Sequence, residues 1–410
     1  MRDACDIVVV GAGAAGLMAA ISARRANPAC RVMALDGARK LGAKILIAGG
    51  GRCNVTHYHV DETAFAGSSR PAIRKVLGRF DVSKTVAFFD ELGVPLKREE
   101  TGKLFPVTDD ARTVLNALLG EARRRAVEIR HPSRVVAIER NENGFAVAAE
   151  RVFHGQRVII ATGGKSIPKS GSDGFGYELV KALGHTITPL LTPGLVPLTL
   201  PRGHFLCRLA GVTLDATITL RSGTGKTLVA FTNSTLLTHF GLSGPSVLDI
   251  SRYYLHTIAS DSGANLFINF LPGSNSETLD SELQSLRSKS IGGFLRDKLP
   301  ERLVRTLCEQ VGIDISTRGN ALKRDERRTI AATFCNLPLS ITGSRGYNFA
   351  EVTSGGVPLS ELHLDTMESR VCPDLYLCGE ICDVDGRIGG FNFQWAWSSG
   401  FVAGTAAAQP

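Results

Sequence analysis

The chain has 410 residues, 43% of them hydrophobic and 21% charged, with a net charge of +8. That length implies two or three domains, and no apolar run approaches the ~18 residues of a membrane span. The cations are scattered and give no nucleic-acid or membrane stripe, and nine cysteines without a CxxC pair exclude a disulfide framework, a redox dithiol and a zinc ribbon.

The first strand is expected to begin by Asp6, which leaves no room for a signal peptide and implies a cytoplasmic location. Ile7-Val8-Val9-Val10 is a continuous β-branched run and predicts a strand buried on both faces. Gly11, Gly13 and Gly16 follow at once. Residues 17–21 then carry apolar side chains at helical spacing toward a stop near Asn27 and Pro28. A second apolar run, residues 31–35, is closed by Asp36. Strand, glycine turn, helix, strand and acid in this order predict dinucleotide binding. Gly11 permits the tight turn, Gly13 lets backbone approach a pyrophosphate, and Gly16 lets the helix lie close on the strand. Ala14 and Ala15 open the helix, whose free N–H groups and positive end favour phosphate. Asp36, 20 residues after Gly16, can accept from ribose hydroxyls and disfavours a 2′-phosphate.

Residues 37–44 form a loop with glycines and cations that ends at Lys44. Gly49, Gly50 and Gly51 are consecutive, an entropic cost that an ordinary loop rarely bears. They predict backbone laid against a flat ligand, with Arg52 and Asn54 as donors. Cys53 could be a reactive thiol there, but no base lies near it in sequence, so an inert, partly buried thiol is expected. Ser83 is expected to cap a helix over 84–92. Asp110 is expected to cap one over 111–125, with Val114, Leu115, Leu118 and Leu119 as its buried face. Arg123, Arg124 and Arg125 would end that helix as a solvated cationic turn. Strands are expected at 134–139, 145–149 and 157–161, with 141–144 as a hairpin turn. Ala161, Thr162 and Gly163 form a second strand-to-glycine exit toward the same dinucleotide.

Pro189, Pro193, Pro197 and Pro201 mark a crossing into another section. Residues 213–220 and 226–231 read as paired strands. Gly225-Lys226-Thr227 is like a phosphate loop, but Leu220 stands where that loop needs glycine, so a hairpin is expected. Another strand is expected at 265–271, and 277–332 should be mostly helical. The first style of sequence returns near Tyr347. Residues 374–378 read as a strand, followed by Gly379, Glu380 and later Asp385. Gly389 and Gly390 open a long small-residue helix over 393–408. A helix start there would stabilise the negative charge of a reduced flavin. His185 and His239 titrate near neutrality, but a lone histidine is more often structural. No catalytic acid or base is assigned, and no metal site is expected.

Five stretches, residues 47–54, 161–164, 242–245, 351–356 and 389–397, together resemble the bacterial FAD-binding family called aminoacetone oxidase-like or BaiN-type. The resemblance runs nearly end to end, and its C-terminal motif is highly specific. It implies an α/β fold. A three-layer Rossmann-like FAD-binding domain would comprise residues 1–190 and 346–410, an inserted β-barrel 191–272 and 333–345, and a small helical domain 273–332. It also implies tightly bound FAD. Gly11, Gly13, Ala14, Ala15, Gly16 and Asp36 would take its adenosine end, and the Val135 backbone the adenine edge. Gly50, Gly51, Arg52, Cys53 and Asn54 would lie near the ribityl chain or ring. Gly379, Glu380 and Asp385 would fix the phosphate and ribityl side, and Gly390, Phe391 and Asn392 the ring. Lys44, Ala161, Thr162 and Gly163 complete the candidate set. Arg387 stands where the family places an aromatic residue.

The family's activities are aminoacetone oxidation and reduction of steroid-like enones. The resemblance therefore implies an FAD-dependent oxidoreductase for a small organic substrate, with molecular oxygen or NAD(P)H as redox partner. Only one glycine fingerprint carries its acid, so NAD(P)H would bind transiently. Two other classes compete: a flavoprotein acting on RNA, and a redox sensor that holds FAD without turnover. Nucleic acid is not expected as a partner, because no stacked aromatic–basic surface is evident. No membrane partner is expected.

Overall fold

The computed structural model describes residues 4–409. The chain forms two compact units, one built from residues up to Leu191 together with those from Glu351 onward, the other from residues 192–350.

The first unit is organised on a parallel sheet. Strand β1 (Ala4–Val10) lies between β2 (Val32–Leu35) and β3 (Val152–Ile160), and β4 (Leu375–Leu377) pairs with β3, all parallel. Ile7, Val8 and Val9 of β1 and Val158, Ile159 and Ile160 of β3 have no exposed surface. A continuous β-branched run is stable only in such a two-sided core. The register sets Val10 opposite both Leu35 and Ile160, so the three strands end level. Their glycine and acid exits therefore share one edge.

Two helices cover this edge region. Helix α1 (Ala14–Ala26) follows β1, and α2 (Phe391–Ala407) packs along it. A Cβ added at Gly400 would stand 2.5 Å from the Ala15 carbonyl oxygen, and one at Gly404 would stand 2.0 Å from that of Ala19. The small-residue pattern of α2 is thus the requirement for backbone-to-backbone contact. Trp395 and Trp397 on α2 are buried, and each burial contributes on the order of 3 kcal/mol. Their indole N–H groups donate to the carbonyls of Gly379 (3.0 Å) and Val55 (2.8 Å).

Local features differ from expectation in several places. The helix Val82–Glu91 is capped by Asp81 and not Ser83: the Asp81 carboxylate accepts from the Lys84 N–H at 2.9 Å and from the Ser83 hydroxyl at 2.7 Å. The strand expected at 134–139 starts later, as Ala137–Asn141, because Ser133 donates its N–H to the Asp36 carbonyl at 2.7 Å. The strand expected at 157–161 is longer, as β3, because its first half pairs with Gly144–Ala148. Asp110 does cap Ala111–Arg124, with Val114, Leu115 and Leu118 buried and Leu119 half-buried. The cations ending this helix are not simply solvated. Arg124, Arg125 and Arg25 converge on Glu121, whose side chain is 3% exposed.

The second unit has its own core. Where a barrel is expected, seven strands form an antiparallel sheet in the order Leu337–Leu339, Asn265–Asn269, Thr213–Arg221, Thr227–Thr238, Gly241–Ser243, Leu198–Thr199 and Gly343–Ser344. The helix Pro245–Ser260 packs on it. The phosphate-loop lookalike at Gly225 is a hairpin turn between the two longest strands. Four helices lie within 276–335.

Candidate cofactor site

The site begins where β1 ends. Gly11 has φ +101°, and its N–H donates to the Leu35 carbonyl at 2.8 Å. A Cβ there would stand 2.5 Å from the Ala161 carbonyl oxygen. The second glycine exit, Ala161, Thr162 and Gly163, therefore abuts the first. A Cβ at Gly16 would stand 1.9 Å from the Gly11 carbonyl oxygen, so Gly16 is required by the fold itself. Gly13 differs: its backbone is ordinary, and no protein atom lies within 4 Å of where a Cβ would stand. Ala14 and Ala15 form the first turn of α1, which has no side-chain cap on Gly13. Asp36, half-buried at the end of β2, accepts from the Ala12 N–H at 2.6 Å and the Ala38 N–H at 2.8 Å. Each carboxylate oxygen retains a lone pair. Val135 is buried just after Arg134, which packs against Gly37, so its backbone runs beside this acid.

A second glycine arc follows. Gly49, Gly50 and Gly51 have φ +58°, +70° and +88°, and a Cβ at Gly50 would meet nothing within 4 Å. The Arg52 guanidinium pairs with Glu99 at 2.6 Å and lies 4.0 Å over the Phe105 ring. Cys53 is wholly buried, and burial pushes its thiol up to about 12. It is more enclosed than the partly buried thiol expected. Asn54 is buried, and its Oδ1 has no hydrogen-bond partner.

Lys44 lies in a polar cluster that sequence did not assemble. Its ammonium donates to Glu380 Oε2 at 2.8 Å, Ser166 Oγ at 2.6 Å and Ser172 Oγ at 3.1 Å. Glu380 Oε1 accepts from the Thr353 N–H at 2.8 Å and the Ser166 hydroxyl at 3.0 Å. Ser166, Ser172 and Thr353 were missed. Thr353 alone had a signal, since it lies inside the 351–356 motif.

The C-terminal segments arrive at the same edge. Gly379, with φ +77°, donates its N–H to Ser399 Oγ at 2.9 Å. A Cβ there would stand 2.7 Å from the Ala15 methyl. Asp385 is buried in a short strand, and its Oδ1 accepts from the Ser354 hydroxyl at 3.2 Å. Gly390, with φ +97°, precedes α2 and provides no side-chain cap. Phe391 stacks on His57 with centroids 4.8 Å apart. The Asn392 amide is engaged within the turn: it accepts from the Gly386 N–H at 2.8 Å and donates to the Gly386 carbonyl at 2.9 Å. Arg387 is half-buried, and its N–H donates to the Ala64 carbonyl at 3.0 Å. His185 is structural: Nδ1 lies 2.6 Å from Glu361 and Nε2 2.8 Å from Ser369. His239 lies in the second unit. Among the described residues no group of His, Cys, Asp and Glu suits a metal ion, and no helix is long and apolar enough to cross a membrane.

These residues fit FAD. Gly13 and Gly50 leave faces that a Cβ would fill and that no packing within the chain reserves. The uncapped starts of α1 and α2 supply N–H groups, and Asp36 supplies an acceptor.

Residues 5–406 match the family described as the HI0933-like protein Rossmann domain. The chain is 34% identical to 3-dehydro-bile acid delta(4,6)-reductase of Clostridium scindens, over 98% of this chain and 99% of that one. It is 36% identical to ribosomal RNA dihydrouridine synthase of Escherichia coli, over 97% and 96%. Of solved structures, 3-ketosteroid-delta4-(5alpha)-dehydrogenase from Rhodococcus jostii RHA1 is similar with TM-score 0.50 and 15% identity, over 99% of this chain and 97% of that one. The 3-ketosteroid delta1-dehydrogenase from Sterolibacterium denitrificans gives TM-score 0.51 at 13% identity, over 99% of both chains. Likeness at such identity speaks to the fold. From its glycine edge, its full-length family match and its full-length relatives, the chain belongs to the HI0933-like family of FAD-binding Rossmann proteins and is an FAD-dependent oxidoreductase.

Proposed function

We propose that this enzyme reduces a carbon–carbon double bond conjugated to a carbonyl. The observation that carries this reading is chemical. The two full-length relatives described above are named for a bile-acid delta(4,6)-reduction and for dihydrouridine formation. A 3-oxo-4,6-diene and the C5=C6 bond of uracil are both double bonds in conjugation with a carbonyl. Bound FAD supplies the hydride. Gly11, Gly13, Ala14, Ala15, Gly16 and Asp36 hold its adenosine diphosphate, with the Val135 backbone beside the adenine. Gly50, Gly51, Ala161, Thr162, Gly163 and Gly379 offer backbone along its length. Lys44 and Glu380 neutralise each other beside it. Gly390 and Phe391 present the start of α2, whose positive end favours the reduced, anionic ring. NAD(P)H is the proposed electron donor, bound only transiently.

The test is anaerobic. NADH or NADPH should bleach the flavin, and a steroid dienone or uridine-containing RNA should restore its colour faster than buffer alone. Peroxide formation on aminoacetone, with no reoxidation by either unsaturated substrate, would make the protein an oxidase and overturn the proposal.

A second reading, that the unsaturated substrate is a base within RNA, has its own observation. In the second unit the Arg345 guanidinium lies 4.4 Å over Phe240 and 3.8 Å over Phe349, which is 51% exposed. Exposed His239 meets Phe240 edge-on. This is the aromatic–basic stack not evident from sequence, and such stacks suit unpaired bases. Single-stranded RNA should bind in a salt-dependent manner, and Phe349→Ala should weaken it about tenfold or more. Unchanged binding in that variant would remove the stack from the reading.

A further inference from the structure

Asn54 carries a feature that the fold does not explain. The residue is only 7% exposed, and its Oδ1 has no hydrogen-bond partner. Buried carbonyl oxygens rarely remain unsatisfied, and each such case calls for a cause. The backbone on both sides is pinned. Cys53 donates its N–H to the Ala48 carbonyl at 2.9 Å, and Val55 donates to the Leu104 carbonyl at 2.9 Å. The side chain is therefore delivered to one place. That place is the start of α2, because Oδ1 lies 2.9 Å from where a Cβ on Gly390 would stand. This helix has 17 residues and no side-chain cap, so its first N–H groups are donors without a side-chain acceptor.

One fixed acceptor beside a set of fixed donors is the complement of a cyclic imide edge, in which an N–H is flanked by carbonyl oxygens. We propose that Asn54 Oδ1 accepts the imide N–H of the isoalloxazine ring, while the N-terminal N–H groups of α2 donate to the adjoining carbonyl. This rests on the FAD reading and gives Asn54 a positioning role within it. Asn54 sets the ring's register against α2 and favours the protonated imide. Uracil presents the same edge, so substrate could be a second source of it.

The experiment uses the full chain, depleted of flavin and reconstituted with FAD or with FAD methylated at the imide nitrogen. The native protein should prefer FAD about tenfold, the usual worth of one buried hydrogen bond. Asn54→Leu should lose that preference, and Asn54→Asp, which keeps an acceptor, should retain it. In the reconstituted protein the flavin imide should also ionise at lower pH in Asn54→Leu than in the native chain, read by absorbance. Equal affinity of the native protein for the two flavins would overturn the proposal without touching the FAD reading, and needs no variant to fold. A preference that appears only between uridine and 3-methyluridine, on the holoprotein, would assign Asn54 to substrate and overturn it equally. Failure of both flavins to bind would overturn the FAD reading and this inference with it.

Discussion

At the scale of single residues, the two glycines of the first loop separate fold from function. A Cβ at Gly16 would lie 1.9 Å from the Gly11 carbonyl oxygen, so Gly16→Val should destabilise the protein by about 3 kcal/mol or more. A Cβ at Gly13 meets no protein atom within 4 Å, so Gly13→Val should fold normally. It should nonetheless bind FAD at least ~100-fold more weakly, because its side chain would occupy the pyrophosphate's place. Thermal unfolding and FAD titration on both variants check the pair, and full FAD occupancy in Gly13→Val would show that this loop cradles no phosphate. Cys53 makes a third case. With its thiol buried and pushed up to about 12, it should resist alkylation at pH 8 until the protein is unfolded. Mass mapping of labelled peptides reads this directly. Rapid labelling of the folded protein would mean that the thiol is accessible, and would reopen a chemical role.

At the scale of elements, charge pairing decides how the helix Ala111–Arg124 is held. Burial alone would raise the Glu121 carboxyl. Hydrogen bonds from Arg125, Arg25 and Arg124 outweigh it and bring the group from 4.5 to about 2. The folded form thus binds its proton less readily than the unfolded chain. The stabilisation is complete above about pH 4.5 and is lost as pH falls through that value toward about 2. It amounts to roughly 2–3 kcal/mol, and Glu121→Gln should remove it at neutral pH and flatten this acid limb. Denaturant unfolding between pH 2.5 and pH 7 measures both. An acid limb unchanged in the variant would place the pH dependence elsewhere. The α1–α2 contact depends on shape instead of charge. Gly400 and Gly404 let two backbones touch, and this contact brings the start of α2 to the edge where β1 ends.

At the scale of the molecule, the edge proposed to hold the cofactor is built from both ends of the chain. Ala15 meets Gly379, Asn54 meets Gly390, and Lys44 meets Glu380. Truncation after Val371 removes β4 and α2 together, and should abolish FAD binding although Gly11, Gly13, Gly16 and Asp36 remain. Flavin retained on a soluble truncated chain, measured by absorbance after gel filtration, would refute this dependence.

The sequence by itself determined the features whose cause is local. A β-branched run, three spaced glycines, an apolar helix and an acid predict strand, turn, helix and strand without reference to the rest of the chain, and β1, α1 and β2 have that form. The Asp110 cap and the hairpin at Gly225 are equally local. Side-chain partners at long range were decided only by tertiary structure. Glu99 and Phe105, about fifty residues further along the chain, hold the Arg52 guanidinium. Ser166 and Ser172 lie more than 120 residues from Lys44 in the chain, but both accept from its ammonium. Phe240 stands far from Arg345 and Phe349 in the chain, yet the three form one stack. A propensity or a turn depends on neighbours within a few residues, and so leaves a pattern that sequence can display. A hydrogen bond or ring contact depends on where two distant backbones are fixed, and that position is the product of the whole packed core.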